Sequence, residues 1–386
     1  MKNYYIFFHN TFSLGHFQRC KLLAERLVRN NNSRVFLISL GNKFPITKFS
    51  SNIHFIQLSP IYKKISSNKI LTLKNYSDKL KDRISKILHL FKKYPPNLFI
   101  TEYYPFGWFR QSDILNPIIK HIKKNYSNCA LVCSARDIPI PNCDKMMSEV
   151  KLKKTINQYY DLVLIHAPKN ITAFRNEGYF ENLKFKIPLK FTGYIVDLND
   201  LLNIKRKIIP NSILITIGGG RDGYDAINKT LNSIIRLSNF KNLNIKIVSG
   251  HFNPVKYFRQ FDCFKNVMVY SYIPQLIKEI SRSQLIVSMA GYNSVAEIKY
   301  CLSNALLIPR NDSFEQNERA KLATNNKNVL IHLPKDKDSD LSLKIFNLLK
   351  LNSNICYDDH FNYDGVNQSV NFIFELLKKK FKNENG

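Results

Sequence analysis

At 386 residues, 44% hydrophobic and 12% aromatic, the chain is long enough for two cores and its composition excludes a disordered or low-complexity protein. Its 58 Lys and Arg residues against 29 Asp and Glu give a net charge of +29, and residues 1–195 hold 32 of the basic and only 11 of the acidic side chains. Such a surface attracts anionic partners: phospholipid headgroups, an acidic polymer or nucleic acid.

In chain order, "YYIFFHN" (4–10) reads as a buried strand, followed by the loop "TFSLGH" and a helix from about Phe17 to Asn30. "RVFLISLG" (34–41) is the next strand. A basic amphipathic helix over 76–93 aligns Leu80, Ile84, Ile87, Leu88 and Phe91 on one face. "NLFITEYYPFG" (97–107), "CALVCSARD" (129–137), "YDLVLIHAP" (160–168) and "LKFTGYIV" (189–196) are further strands. The pattern restarts after "DLNDLLNIKRKIIPN" (197–211). There "SILITIGGGRDG" (212–223) runs from strand into a glycine loop and a helix to about Ser238. Strands at 244–250, 266–273, 284–291 and 304–310 follow, and the C-terminal "VNQSVNFIFELLKKKFKNENG" reads as a helix with a basic tail.

Strands alternating with helices imply parallel βαβ units. The expected fold class is α/β, with two Rossmann-like domains facing each other across a cleft. The expected divisions are 1–196, a linker at 197–211, a second domain at 212–365, and a tail at 366–386 that packs back on the first. A ligand is expected between the halves, at the carboxyl ends of the strands.

No apolar run reaches the roughly 18–20 residues of a membrane span. The opening "MKNYYIFFHNTFSLGH" is interrupted at His9 and Asn10, with no small-residue cleavage site after it. Seven cysteines (20, 129, 133, 143, 263, 301 and 356) form no CxxC pair, which reads as free thiols in a reducing cytoplasm, without zinc or disulfides. His9, inside the first strand, is expected in the core.

Two loops of the second half share one arrangement. Gly218, Gly219 and Gly220 follow a strand and precede a helix, as do Ala290 and Gly291 in "QLIVSMAGYNSVAEIKYC" (284–301). Glycines there let backbone N–H groups approach a ligand, and a helix N-terminus suits phosphate. A tight left-handed turn with no ligand is the alternative for the first loop. Ser294 and Glu297 have capping-box spacing, so Glu297 either closes that box or accepts hydrogen bonds from a ribose diol.

The stretch "LIVSMAGYNSVAEI…NALLIPRNDSFEQNERAKLA" resembles the nucleotide-sugar-binding domain of the lipid-II-forming N-acetylglucosamine transferase family. The likeness is closer to the predicted glycosyl transferases related to it. "LGH" (14–16) and "TGY" (192–194) fall where that family has its N-terminal glycine loop and domain-closing turn. The resemblance implies a GT-B fold and inverting transfer from a nucleoside diphosphate sugar, UDP-sugars favoured, with no metal or other cofactor.

Carried over by position, Glu297 binds ribose, and the backbone of Gly291, Tyr292, Asn293 and Ser294 after Ala290 binds the diphosphate. Gly218, Gly219, Gly220 and Arg221 close over the phosphates, with Gly250 beside them. Ile273 offers its main chain to the base, and Glu315 and Gln316, in a loop, hold sugar hydroxyls. His16 is the first candidate for the base, with Glu102 and Asp137 as further candidates at strand ends. Gly15 and Arg136 are acceptor-binding candidates.

The first loop here has one glycine before its histidine, and Gly220-Arg221 replaces the lipid-II enzyme's serine-glutamine. Both differences argue against that enzyme itself. Expected partners are the donor, a glycan, lipid-linked or other small-molecule acceptor and an anionic membrane surface, since residues 60–95 hold ten Lys/Arg against Asp78 and Asp82. A solvated helix face explains that charge run equally well. The competing readings are a nucleotide-sugar hydrolase or 2-epimerase on the same fold, and a nucleic-acid-binding protein. The latter has no helix-turn-helix, RRM or zinc signature to support it.

Overall fold

The computed structural model describes residues 1–10, 15–29, 32–41, 48–58, 73–107, 111–138, 149–169, 183–197, 207–218, 223–250, 255–324, 327–333, 335–351 and 362–382. The chain divides into two compact units. One comprises Met1–Thr11, His16–Gly193 and Gly365–Gly386; the other comprises Phe12–Gly15 and Tyr194–Asp364.

The first unit is built on β1 (Lys2–Asn10), β2 (Ser33–Gly41), β3 (Ile53–Leu58), β4 (Leu98–Glu102), β5 (Ala130–Arg136), β6 (Leu162–His166) and β7 (Leu189–Phe191). They pair in parallel in the order β3-β2-β1-β4-β5-β6-β7. β3 is not among the strands expected from the sequence, because "IHFIQL" is an edge strand whose residues 54–57 are exposed or half-buried. Alternation along β1 sends Tyr5 and Phe7 to one face, into a core with Ile87 and Phe91 of α2 (Leu73–Lys93). The same core takes Ile114, Leu115, Ile118, Ile119 and Ile122 of α3 (Ser112–Asn125), and Leu152 and Ile156 of α4 (Glu149–Tyr159). Phe8 points to the other face and meets Phe17 of α1 (Gly15–Val28). The apolar side of α2 is thus committed to the core, with Leu80, Ile84 and Leu88 packed against it and Lys79, Lys81, Lys86, Lys92 and Lys93 exposed.

The second unit holds β8 (Ile209–Thr216), α5 (Tyr224–Ile235), β9 (Asn244–Val248), β10 (Val267–Tyr270), α6 (Leu276–Arg282), β11 (Ser283–Ser288), α7 (Tyr292–Tyr300), β12 (Ala305–Leu307), α8 (Phe314–Ala323), β13 (Val329–Ile331) and α9 (Asp338–Lys350). Its parallel sheet has the order β10-β9-β8-β11-β12-β13. Ile213 and Ile215 face a layer containing Ile227, Leu231, Leu341 and Ile345, whereas Leu214 and Ile286 face Ile280, Val295, Ala296 and Ala320. Continuous apolar strands follow from burial on both faces. The last helix, α10 (Gly365–Lys382), belongs to the first unit and packs on β5 and β6.

In each sheet the strand order reverses once between adjacent strands: between β1 and β4 in the first unit, and between β8 and β11 in the second. A crevice at the carboxyl ends of such a pair is where open α/β sheets bind ligands. Among the described residues, no helix is long and apolar enough to cross a membrane.

Candidate active site

At the reversal in the first unit, His16 opens α1 just after β1, and Glu102 is the last residue of β4. Both are buried, and His16 Nδ1 lies 2.8 and 2.7 Å from the two Glu102 carboxylate oxygens. Arg19, one turn further along α1, donates through Nη2 to Glu102 Oε1 and is itself 3% exposed. Burial opposes a charge on Glu102, but His16, the Arg19 guanidinium and the more distant Arg136 outweigh it and hold the carboxyl well below its usual range. Burial depresses the His16 pKa despite the neighbouring carboxylate, and Arg136 and Arg19 add to the effect. The pair is therefore a neutral imidazole against a carboxylate. Nδ1–H donates to Glu102, so Nε2 is the ring nitrogen that carries the lone pair.

Glu102 is followed by Tyr103 in the left-handed region, at φ 64°. Its ring lies 4.2 Å beneath the Arg136 guanidinium, and its hydroxyl donates to the Ile138 carbonyl at 2.9 Å. Arg136 is half-buried. Asp137 is buried and accepts from the Ile138 N–H at 2.9 Å, a local bond that a capping or turn residue makes. His9 is half-buried at the end of β1 rather than in the core, and burial lowers it to about 4.

In the second unit, β11 leads through Met289 and Ala290 to Gly291, the N-cap of α7, which receives no side-chain hydrogen bond at its start. The capping-box alternative therefore fails: Ser294 is the third residue of the helix, and the cap is glycine. Gly291 is extended, at φ −69° and ψ 151°, and a Cβ there would come no closer than 3.9 Å to any atom outside its chain neighbours and the helix backbone near it. Neither turn geometry nor packing requires this glycine. Gly218 differs, because its φ of +68° lies in the left-handed region, which favours glycine. Gly223 packs so closely on Ile217 that an added Cβ would lie 2.2 Å from its side chain. Gly219, Gly220 and Arg221 lie outside the described residues.

The structure corrects where several of these residues sit. The Tyr292 ring is buried, and its hydroxyl accepts from the Ile195 N–H at 3.1 Å, so its side chain is part of the fold. Glu315 and Gln316 are not in a loop; they occupy the first turn of α8, capped by Ser313. Glu315 pairs with Arg319 at 2.5 Å, and Gln316 Oε1 accepts from the Arg310 N–H at 3.0 Å. Ile273 lies beyond the end of β10 at Tyr270, with its side chain partly buried against the core. Gly250 is buried at φ 82°, just past β9, and Glu297 is half-buried on α7. Asn293 Oδ1 is buried and accepts no hydrogen bond among the described residues.

The sequence reading missed three buried polar residues. Arg19 sits at helical spacing from His16 in "GHFQR". His166 ends β6, contacting Ser134 Oγ at 2.6 Å and Thr192 Oγ1 at 2.9 Å, with burial lowering its pKa to about 3. Arg319 hid among the exposed-looking charges of α8. Only His166, which closes the apolar run "LVLIH", carried a signal in its own neighbourhood.

Residues 214–359 match the glycosyltransferase family 28 C-terminal domain. This span contains β11, the Gly291 cap, Glu297 and the start of α8. The chain is a GT-B fold glycosyltransferase related to family 28. It is 24% identical over 334 residues to the UDP-N-acetylglucosamine--N-acetylmuramyl-(pentapeptide) pyrophosphoryl-undecaprenol N-acetylglucosamine transferase of Finegoldia magna, covering 84% of each chain. The crystal structure of Acinetobacter baumannii MurG superposes with a TM-score of 0.59 at 15% identity, over 97% of this chain and 100% of that one. TcCGT1 in complex with UDP gives 0.62 at 13% identity, over 99% and 100%. The match to the family 28 C-terminal domain thus lies in the second unit, where the sequence resemblance was strongest.

Proposed function

We propose that this glycosyltransferase is inverting and metal-independent. In this reading it moves a sugar from a UDP-sugar to a lipid-linked or other anionic acceptor at the cytoplasmic face of a membrane. The observation that carries the reading is the start of α7. Within the family 28 domain, at the strand-order reversal, a helix begins without a side-chain cap behind a glycine that the fold does not require. The first N–H groups of a helix have no acceptor within it, and its N-terminus carries positive potential suited to a diphosphate. Glu297, one turn in, would then accept from the ribose hydroxyls, and Glu315 and Gln316 would meet the sugar.

The chemistry asked of the first unit is proton removal. His16, neutral and oriented by Glu102, takes the acceptor hydroxyl's proton on Nε2 as the oxygen attacks the anomeric carbon. The nucleoside diphosphate leaves from the opposite face, its growing charge met by the α7 N-terminus, with Arg221 as a further candidate. The UDP-sugar donor and the lipid-linked acceptor are supported by the name of the Finegoldia relative and by UDP in the TcCGT1 complex. The exposed lysines of α2 suit anionic lipid, while its apolar face belongs to the core.

Thermal-shift measurements against UDP, dTDP, GDP and CDP test the donor site directly. The expected result is stabilisation by UDP that is lost in Glu297→Ala and unchanged by EDTA. A chain that responds to none of the four at millimolar concentration, or responds equally in the variant, sinks the assignment.

A further inference from the structure

Arg319 is among the largest side chains that the fold encloses completely. It rises from α8 one turn after Glu315. Its Nη2 donates to Glu315 Oε1 at 2.5 Å, and its Nη1 donates to the Ala290 carbonyl at 2.9 Å. The guanidinium carbon lies 5.8 Å from the centroid of the Tyr292 ring. One side chain thus ties together two segments remote in sequence: the loop after β11 and the first turn of α8.

The two ends of this tie differ in kind: one is a main-chain carbonyl, the other a side-chain carboxylate. The loop has its own backbone bonds, from the Gly291 N–H to the Met289 carbonyl at 2.8 Å and from the Val295 N–H to the Gly291 carbonyl at 3.0 Å. Glu315 stands on the first turn of a helix, on a side chain with several rotatable bonds. The loop carbonyl is therefore the anchor and the carboxylate is the group being placed. A guanidinium holds its acceptors on separate nitrogens of one rigid plane, whereas an ammonium offers three donors on a single rotatable nitrogen at the end of a flexible stem. Burying the charge is costly, and pairing in good geometry offsets that cost.

We propose that Arg319 is a positioning residue for donor recognition, anchored on Ala290 and fixing the Glu315 carboxylate where it reads the hydroxyls of the donor sugar. This rests on the UDP-sugar reading of the second unit. It predicts a separation: Arg319 governs how the sugar is held, while the nucleotide is bound by the loop and by Glu297.

The test is calorimetric titration of the full chain with UDP, and with UDP-N-acetylglucosamine and a panel of UDP-hexoses. It compares wild type with Arg319→Lys, Arg319→Gln, Glu315→Gln and the double variant Arg319→Gln/Glu315→Gln. Affinity for UDP should stay within about threefold in all of them, while affinity for the preferred UDP-sugar drops roughly tenfold or more in Arg319→Gln and in Glu315→Gln. The double variant should be no weaker than Glu315→Gln alone, because Arg319 acts through that carboxylate. Arg319→Lys, which keeps the charge without the fork, should lose sugar affinity as well.

Losses that multiply in the double variant, or an equal loss of UDP and UDP-sugar affinity, would overturn the proposal and leave Arg319 as a structural support. If Arg319→Gln fails to fold with an unpaired carboxylate beside it, the comparison of the double variant with Glu315→Gln decides. A wild-type chain that binds neither UDP nor any UDP-sugar removes the donor-site reading itself. Wild-type binding that the Arg319 substitutions leave unchanged removes only the role given to Arg319.

Discussion

Glu102 and His16 are each costly to bury alone, and their arrangement shows how one ionises and the other does not. Arg19 supplies the cation that keeps Glu102 charged, while His16 needs only a proton on Nδ1 to satisfy the carboxylate. Its pKa lies below the ordinary 6.5, so the basic form is populated throughout neutral pH. Protonation is therefore lost as a hindrance above this lowered value, and kcat/KM should stay level as pH falls to 6.5 and decline only below it. Glu102→Gln takes away a group that raises the His16 pKa, so the acid limb should move to still lower pH. Activity should fall by roughly 10²-fold, within the range of a mis-set general base. A pH–rate series on both forms, with UDP release as the readout, checks this. An acid limb that stays in place in Glu102→Gln would show that the carboxylate does not tune the imidazole. Stability has the same sign. The folded state binds the His16 proton less readily than the unfolded chain, so the melting temperature should drop as pH falls through and below 6.5.

At the scale of single elements, the glycines separate structural from functional need. A Cβ on Gly107 would lie 2.2 and 2.4 Å from atoms of the Tyr103 ring, which itself supports Arg136. Gly107→Ala should therefore cost about 1–3 kcal/mol of stability through overpacking. Gly291→Ala meets no such obstacle and has a backbone that any residue adopts, so its stability should stay within about 0.5 kcal/mol of wild type. Its nucleotide affinity should nevertheless fall, if the diphosphate approaches that backbone. Denaturant midpoints for both variants, with UDP titrations, check the pair. A Gly291→Ala chain that is destabilised but binds UDP normally would make that glycine a folding residue. The same contrast explains what was readable beforehand. Strands such as "ILITI" and "LIVSM" declare themselves because burial on both faces demands unbroken apolar runs. The glycine after a strand is visible as well, but its backbone angle is not, so Gly218 and Gly291 looked alike in sequence and differ in conformation. Glu315 and Gln316 looked like a loop because the residues around them are polar. The Ser313 cap, which begins α8 just before them, is the one local mark of a helix there. Pairings between remote residues, His16 with Glu102 or Arg319 with Ala290, depend on sheet order, which no local pattern carries.

The whole molecule is divided in space but interleaved in sequence. The chain leaves the first unit after Gly193 and re-enters it at Gly365, so α10 completes a unit whose other elements were built before residue 194. Val370, Ile373 and Leu377 of that helix are 0–2% exposed, Lys380 bridges to Asp161 at 2.9 Å, and Arg26 donates to Asn367 at 2.5 Å. Three buried aliphatic side chains contribute roughly 1.5–3 kcal/mol each, a sum comparable with the ~5–15 kcal/mol by which a domain is stable. Removing everything after Asp364 should therefore unfold or strongly weaken the first unit while sparing the second, whose two cores contain no residue of α10. By calorimetry, the truncated chain should lose one thermal transition, or show it at much lower temperature. The remaining transition should still rise when UDP is added, because the elements assigned to the nucleotide lie in 214–359. If truncation instead abolishes the UDP-dependent shift along with the first transition, the donor site depends on the first unit for its structure. The nucleotide would then have to be assigned to the complete chain and not to residues 214–359 alone.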